Sequence, residues 1–268
     1  MTATWCFHSY KGGTGKTMTS LNTAVSLTLR GHKVCLLDFD LLGPAMFAIF
    51  GEKDKYLNDA FYNDIPIEEC ILPINNPKFN VNGGSLFVGL ADPQPDHIMQ
   101  IYQKTDDDHR EAVANIMDMQ DYIEDDLEID YIIIDNGPGM NRMVMNAMLI
   151  SENIAIVLKP TKADVEGTKL LVNHMLKGQE KFLGIVMNRT LDQSWQDHAA
   201  IQSADIEYAD VTSDLELFTA QEDVKVLSRL PCYCDIARSQ SDKIIVLDHP
   251  EHPFCQSIDR LVSAMTKQ

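Results

Sequence analysis

The sequence KGGTGKT, at Lys11–Thr17, determines how the rest of the chain is interpreted. It follows a strand-like apolar run, Ala3–His8, and leads directly into a segment with helical periodicity, Thr17–Arg30. Glycines at this place let backbone N–H groups converge on phosphate oxygens, and the N-terminus of the following helix adds the positive end of its dipole. The order of strand, glycine-rich loop, Lys-Thr pair and helix therefore predicts a phosphate-binding loop rather than a simple turn.

The loop offers both backbone and side-chain groups to a nucleotide. The ammonium group of Lys16 would reach the β- and γ-phosphates as a point charge, and the hydroxyl of Thr17 would bind Mg²⁺. Met18 takes the next position in the helix. The sequence thus predicts seven cofactor-binding residues here: Gly12, Gly13, Thr14, Gly15, Lys16, Thr17 and Met18.

Three aspartates stand at the ends of two predicted strands. Asp38 ends the strand Lys33–Asp38, and Asp40 follows two residues later, so both side chains point to the same side of an extended segment. Asp135 ends Tyr131–Asp135, a continuous apolar run of the kind that is buried on both faces. Burying an acid at a strand end is costly unless the acid is paired or holds a metal. A metal role is therefore predicted for Asp135, together with the hydroxyl of Thr17.

Strand-like runs alternate with helix-like segments along the whole chain. This pattern predicts an α/β fold with a doubly wound, mostly parallel central sheet and helices on both faces. Internal repeats and low-complexity linkers are absent from the sequence, which favours one domain over residues 1–268. Residues 51–80 and 190–223 are less periodic and are expected to hold loops, short helices or partner-facing elements. The further predicted elements are the strands Leu86–Leu90, Asn153–Leu158, Gly184–Asn188 and Val224–Leu230 and the helices His109–Asp126, Met140–Ile150 and Val165–Leu176.

The charge balance excludes some partners. The chain of 268 residues has 22 Lys and Arg against 40 Asp and Glu, a formal net charge of −18. Such acidity argues against a nucleic-acid backbone or an anionic membrane as the main partner. The acid surplus is concentrated in Asp92–Asp130 and Trp195–Asp223, which are either solvated helical faces or a surface for a basic partner.

Other features of the composition favour a reduced, cytoplasmic protein. The sequence starts without the charged and apolar regions of a secretory signal. Six scattered cysteines are too few for a disulfide scaffold at this length. The sequence also lacks the roughly 18 uninterrupted apolar residues that a membrane-spanning helix needs.

Lys11, one residue before the first glycine, gives the loop a second lysine. With it, the loop resembles the deviant Walker A motif of the MinD/ParA/Mrp class of P-loop ATPases, and Asn22 falls where that class has Asn. The resemblance implies an ATPase that uses ATP and Mg²⁺ and forms an ATP-dependent homodimer, in which Lys11 reaches the phosphates bound by the other subunit. Family members usually carry a second Thr where this chain has Met18, so a hydroxyl contact to the α-phosphate is missing.

The resemblance extends to four later segments. Asp38–Gly43 resembles the switch I region, in which the second acid, Asp40, orients the attacking water and the first, Asp38, has a supporting role near the metal. The implied metal-binding set is Thr17, Asp38 and Asp135. Asp135–Gly139 resembles switch II, whose backbone can sense the γ-phosphate. By the same resemblance, Asn188 contacts the adenine edge, where an amide suits its donors and acceptors, and Pro231 lies along the base. The implied catalytic residues are Lys11, Lys16 and Asp40.

The resemblance leaves three family roles open: membrane positioning of the MinD type, DNA partition of the ParA type, and metal-centre maturation of the Mrp/CooC type. The first interpretation is a molecular switch that positions or partitions a cellular cargo or an unidentified regulatory partner. DNA is an unlikely partner because of the charge. Membrane contact through the C-terminal stripe of Ile258, Leu261, Val262 and Met265 stays open, but a terminal helix packed on the domain is the favoured interpretation. The alternative is metal-centre maturation. A Cys-x-x-Cys pair is absent from the sequence, but Cys232 and Cys234, with His249, His252 and Cys255 downstream, offer zinc or nickel ligands.

Overall fold

The computed structural model describes residues 2–80, 82–191, 202–233, 235–236 and 243–267. Eight strands form a single sheet. In chain order they are β1 Ala3–Ser9, β2 Lys33–Phe39, β3 Ile71–Pro73, β4 Ser85–Gly89, β5 Tyr131–Pro138, β6 Asn153–Leu158, β7 Phe182–Thr190 and β8 Lys225–Pro231. The order across the sheet is β3-β4-β2-β5-β1-β6-β7-β8, and every neighbouring pair is parallel except β3 with β4.

Helices cover both faces of this sheet, as the alternating pattern predicts. The helices Asp106–Asp121 and Lys162–Leu171 each continue into one turn of π-helix, at Tyr122–Asp126 and Val172–Leu176. The described helices are α1 Lys16–Leu29, α2 Phe47–Phe50, α3 Leu57–Tyr62, α4 Ile67–Cys70, α5 Pro95–Ile101, α6 Asp106–Asp121, α7 Arg142–Leu149, α8 Lys162–Leu171, α9 Gln202–Gln221, α10 Ile245–Asp248 and α11 Pro253–Met265.

The sheet separates two hydrophobic cores. Successive side chains of β1 point to opposite faces, so Cys6 lies in one core and Trp5 and Phe7 lie in the other. The core around Cys6 is closed by α3, α6, α7, α8 and α9, and the core around Trp5 is closed by α1, α10 and α11. The doubly wound α/β fold predicted from the sequence is therefore confirmed.

Two elements differ from the sequence predictions. The short strand β3 is an antiparallel edge of three residues that ends in Pro73, too short to give a periodic signal. A 20-residue helix, α9, occupies most of the segment 190–223, where the sequence predicts loops or short helices. Its buried apolar residues Val211, Leu215 and Phe218 are helically spaced, but the many acids around them hide the pattern.

The C-terminal stripe belongs to the interior. Ile258, Leu261, Val262 and Met265 of α11 are buried, and α11 packs against α1 and β8. In the described ranges, no helix is both long and apolar enough to cross a bilayer.

Candidate active site

The phosphate-binding loop connects β1 to α1 and is held in place by a neighbouring strand. Gly15 precedes α1 with φ of 90° in the left-handed region, a conformation that favours glycine. Asn188, near the end of β7, donates a hydrogen bond of 2.7 Å from Nδ2 to the Thr14 carbonyl. A Cβ atom on Gly15 would lie 2.1 Å from that same Nδ2. Glycine is therefore required here for both its backbone conformation and its lack of a side chain.

Lys16 and Asp135 form a buried ion pair below this loop. Lys16 Nζ lies 2.8 Å from Asp135 Oδ1, and the residues are 6 % and 1 % exposed. Burial lowers the pKa of Lys16, but Asp135 outweighs it, with help from Asp40 and Asp38, so the net pKa of Lys16 is raised. The lysine is therefore charged, and its charge is compensated by the carboxylates at the ends of β2 and β5.

Asp38 lies beside Asp135, because β2 and β5 pair in a register that places the two residues opposite each other. Asp38 Oδ1 accepts a hydrogen bond from the Asp40 N–H, and Oδ2 accepts from the N–H groups of Ala45 and Met46. Burial, and then the charge of Asp135, raise the pKa of Asp38 to about 7, against the opposing effect of Lys16. Through these three hydrogen bonds, Asp38 holds the loop after β2 in place.

The carboxylate of Asp40 lies between that loop and the end of β5. Burial is the largest cause of the raised pKa of Asp40, and Lys16 opposes it. A Cβ atom on Gly137 would lie 3.2 Å from Asp40 Oδ1, so the carboxylate packs closely against the Gly137 backbone. The Gly137 N–H donates a 3.0 Å hydrogen bond to Asn136 Oδ1. Asp40 therefore joins the two segments that resemble switch I and switch II.

A cavity of about 410 Å³ opens above these groups. Gly12–Met18 form its floor, together with Asp40 and Pro138. The far wall is formed by Asn188, Arg189 and Pro231–Tyr233. Volumes of this size are typical of small-molecule sites. The structure thus brings the predicted loop, Asp40, Asn188 and Pro231 to one cavity, with Asp38 and Asp135 behind it.

The groups around the cavity fit a nucleotide with a divalent cation. Three carboxyl groups, those of Asp38, Asp40 and Asp135, face the single buried ammonium group of Lys16. Carboxylate and hydroxyl oxygens are the ligands that Mg²⁺ prefers. Thr14 Oγ1 is buried without a hydrogen-bond partner among the described residues. A bound cation would compensate the excess of acids, and a phosphate group would accept a hydrogen bond from the unpartnered hydroxyl.

Lys11 takes no part in this arrangement. Its side chain is exposed, and it does not line the cavity. Within the described part of the chain, Lys11 makes no hydrogen bond or ion pair. Next to it, Tyr10 packs closely on α8, because a Cβ atom on Gly167 would lie 2.0 Å from Tyr10 Cδ1.

On the wall predicted to face the base, part of the Asn188 amide is already used. Besides the bond to Thr14, Asn188 Oδ1 accepts a 2.8 Å hydrogen bond from the Arg189 N–H. Met18 lines the cavity, and the neighbouring Asn22 donates from Nδ2 to its carbonyl. Asn22 Oδ1 also accepts from Val246 N–H, which links α1 to α10. The structure therefore gives Asn188 a role in pinning the loop that the sequence did not predict.

The cysteines are separated from one another. Cys6, Cys35, Cys70 and Cys255 are buried free thiols, whereas Cys232 is exposed at the cavity wall. Cys234 lies outside the described residues. The described ranges contain no group of three or more His, Cys, Asp and Glu side chains arranged to hold a metal ion.

Two residues that sequence reasoning missed border the same site. His8, at the end of β1, is fully buried beside Lys16. Asn136 follows Asp135 and bonds to the backbone of α7 through Val144. Both are polar residues near the end of a buried apolar strand. That pattern is the sequence feature from which they could have been predicted.

Comparison with known proteins identifies the family. The family model described as NUBPL iron-transfer P-loop NTPase, of the ParA group, matches residues 2–266. The chain is 27 % identical over 172 residues to the chromosome partitioning protein ParA of Myxococcus xanthus, covering 63 % of this chain and 56 % of that protein. It is 25 % identical over 189 residues to the cytosolic Fe-S cluster assembly factor CFD1 of Kluyveromyces lactis, covering 67 % of this chain and 61 % of that protein.

Solved structures share the fold at lower identity. The cell division ATPase MinD of Pyrococcus furiosus is 22 % identical, with a TM-score of 0.75 over 100 % of this chain and 99 % of that one. The MinD of Pyrococcus horikoshii, complexed with Mg-ADP, is 22 % identical, with a TM-score of 0.73 over 100 % of this chain and 97 % of that one. The chain thus has the fold of these ATPases over its full length.

Proposed function

Because the chain belongs to the NUBPL iron-transfer P-loop NTPase family, we propose that it is a Mg²⁺-dependent ATPase that dimerises with ATP and serves the maturation of a metal centre. The buried pair of Lys16 and Asp135, beneath a glycine-rich loop and beside two further aspartates, is the observation that carries the ATPase part of this proposal. The MinD of Pyrococcus horikoshii, which has the same fold, binds Mg-ADP and so supports the choice of ligand.

Each residue of the site has a defined task in hydrolysis. Lys16 would hold the β- and γ-phosphates, while Thr17 and Asp135 would hold Mg²⁺, which neutralises phosphate charge. Asp40 accepts a hydrogen bond from the water that attacks the γ-phosphate, so that ATP and water give ADP and phosphate. Asp38 holds the loop that carries Asp40 through its bonds to Ala45 and Met46. Transfer of Lys16 from Asp135 to the phosphates releases a carboxylate for the cation.

The exposed position of Lys11 supports dimerisation. Lys11 is exposed and does not line its own cavity. A lysine one residue before the loop projects away from its own phosphate cradle, and the family resemblance assigns it to the phosphates of the second subunit. Two chains facing each other across two nucleotides give this ammonium group a partner. ATP binding then assembles the dimer, and hydrolysis dissolves it.

We place metal-centre maturation ahead of cargo positioning. The family description and the CFD1 relative both point to iron, and the latter supports a cytosolic setting. The ParA relative keeps partitioning as the second candidate. Cys232 supports the first candidate, because it is the exposed cysteine of the five that the structure describes, and it lies at the cavity wall.

Anaerobic loading with ferrous iron and sulfide distinguishes the two roles. Maturation predicts about one metal centre per dimer, bound with an affinity that falls on Cys232→Ser. Cys35→Ala, at a buried cysteine in the core, is the matched control and should keep the metal. If the wild-type protein binds neither iron nor another metal above background, metal-centre maturation is contradicted and cargo positioning becomes the preferred function. Phosphate release by the wild type, lost in Lys16→Ala, tests the ATPase part separately.

A further inference from the structure

Arg189 lies at an irregular point of the sheet, close to the end of β7. The pairing of β7 with β8 shifts there, from Asn188 opposite Leu230 to Thr190 opposite Pro231. Arg189 therefore has no residue opposite it. Its φ of 56° lies in the left-handed region, which few residues other than glycine adopt. Bulges beside active sites re-aim side chains, and strained backbone is concentrated at ligand-binding sites, so both features direct attention to this side chain.

The backbone of Arg189 is tied to the phosphate-binding loop through Asn188. The Arg189 N–H donates to Asn188 Oδ1 at 2.8 Å, and Asn188 Nδ2 donates to the Thr14 carbonyl at 2.7 Å. On the other side, the Cys232 N–H donates to the Thr190 carbonyl at 2.9 Å, which holds the end of β7 to the segment after β8. Hydrogen bonds on both sides therefore fix the position of Arg189 relative to the loop.

The side chain of Arg189 is exposed and lines the cavity of about 410 Å³. Within the part of the chain that the structure describes, its guanidinium group has no hydrogen-bond or ion-pair partner. Lys16, which lines the same cavity, is instead paired with Asp135. Arg189 thus presents an unpaired planar cation to the cavity.

The wall that contains Arg189 suits a flat aromatic group. Outside the phosphate-binding loop, apolar surface is contributed to the cavity by Pro231, Tyr233, Ile236 and Phe254. Phosphate groups have partners of their own at the loop, in its backbone N–H groups and its lysine. The base is therefore the part of a nucleotide that fits the wall with Arg189.

A guanidinium group can contact a base in two ways. Edge-on, its N–H groups only donate, which suits the O6 and N7 acceptors of guanine but opposes the amino group of adenine. Face-on, the planar cation stacks on the ring, and every base offers such a face. The face-on contact is therefore the one that is compatible with ATP.

We infer that Arg189 is a nucleotide-binding residue whose guanidinium group stacks face-on on the adenine base. This inference rests on the proposed ATPase function and adds a residue that the motifs of the loop and the switch segments do not contain. It gives adenine a contact that is independent of the Asn188 amide, whose Nδ2 and Oδ1 already make one hydrogen bond each.

Calorimetric titration with ADP and with inorganic pyrophosphate, each with Mg²⁺, tests this contact. Pyrophosphate occupies the phosphate positions but has no base, so it also reports whether a variant keeps a folded loop. We expect Arg189→Ala to raise the Kd for ADP about fivefold and to leave the Kd for pyrophosphate within about twofold of the wild type.

Two further variants separate stacking from charge. Arg189→Lys keeps the charge but loses the planar group, so it should bind ADP as weakly as Arg189→Ala. Arg189→Tyr keeps a planar group without the charge and should restore the Kd for ADP to within about twofold of the wild type. Arg110→Ala is the matched control, because Arg110 is an exposed arginine that is paired with Asp107 and does not line the cavity. It should match the wild type with both ligands.

The outcomes separate this inference from the proposed function. If Arg189→Ala binds ADP like the wild type, the inference is wrong. Equal losses of affinity for ADP and pyrophosphate, or rescue of ADP binding by Arg189→Lys, would replace stacking by a charge contact and also overturn it. If the wild type itself binds neither ADP nor pyrophosphate, the proposed function fails first.

Discussion

Lys16 Nζ and Asp135 Oδ1 lie 2.8 Å apart in the interior, so the loop lysine and the strand-end acid neutralise each other. Both groups would have new partners in a complex with ATP and Mg²⁺. The pair therefore leaves neither charge uncompensated in the interior, and each group can exchange its partner for a ligand. Such pairs are far more costly to break on one side than to remove entirely.

This asymmetry predicts the stability of three variants. Lys16→Met leaves three aspartates around a site without a cation and should lower the free energy of unfolding by about 3 to 5 kcal/mol. Asp135→Asn should cost less, since Asp38 and Asp40 still face Lys16. The double variant should be more stable than Lys16→Met alone. Urea unfolding of the three nucleotide-free proteins measures this, and strictly additive losses would contradict the coupling.

Asp38 gives the protein a pH dependence opposite to that of most aspartates. Burial and Asp135 raise its pKa from 3.8 to about 7 in the folded chain, so the folded state holds this proton more tightly than the unfolded state. The contribution to stability is full below about pH 4 and is lost as the pH rises toward 7. Urea unfolding of the wild type should show it as a fall in stability over that interval relative to Asp38→Asn. A difference between the two proteins that is flat with pH would mean that Asp38 titrates normally.

Gly13 and Gly15 of the loop both have left-handed backbone conformations. Substituting each in turn distinguishes the cost of backbone strain from the cost of a steric clash. Gly13→Ala, at φ of 72° with open space around the added Cβ, should cost only about 1 to 2 kcal/mol. Gly15→Ala adds a clash with Asn188 Nδ2 at 2.1 Å, so it should cost more and also displace the loop. Calorimetric titration with ADP and Mg²⁺ should show near-normal binding for the first variant and none for the second. Equal behaviour of the two would contradict the role of Asn188 as a clamp on the loop.

Nucleic-acid binding is predicted to be weak, because the net charge of −18 opposes counterion release from a phosphate backbone. A gel-shift titration with duplex DNA, with and without ATP, should show only salt-sensitive binding that disappears near physiological salt. Tight, ATP-dependent binding under those conditions would favour the partition role over metal-centre maturation.

The fold and the loop could be predicted because their residues follow local rules. The sequence Lys11–Thr17 has a short-range pattern with a single structural meaning, and the run Tyr131–Asp135 is recognisable as a buried parallel strand. The clamp formed by Asn188 on Thr14 could not be predicted, since it joins positions 174 residues apart. The helix α9 could not be predicted either, because the acids around its buried apolar residues hide their helical spacing.

The proposed ATP-dependent dimer is tested most directly by size-exclusion chromatography with light scattering, run with ATP and with ADP on the wild type and two variants. Asp40→Ala should bind ATP and Mg²⁺, hydrolyse slowly and accumulate as a dimer, because its carboxylate repels the γ-phosphate more than it binds it. Lys11→Ala, which removes an exposed lysine outside its own cavity, should bind nucleotide and stay monomeric. An Asp40→Ala protein that stays monomeric in ATP, or a Lys11→Ala protein that dimerises like the wild type, would contradict a dimer built on phosphate contacts between subunits.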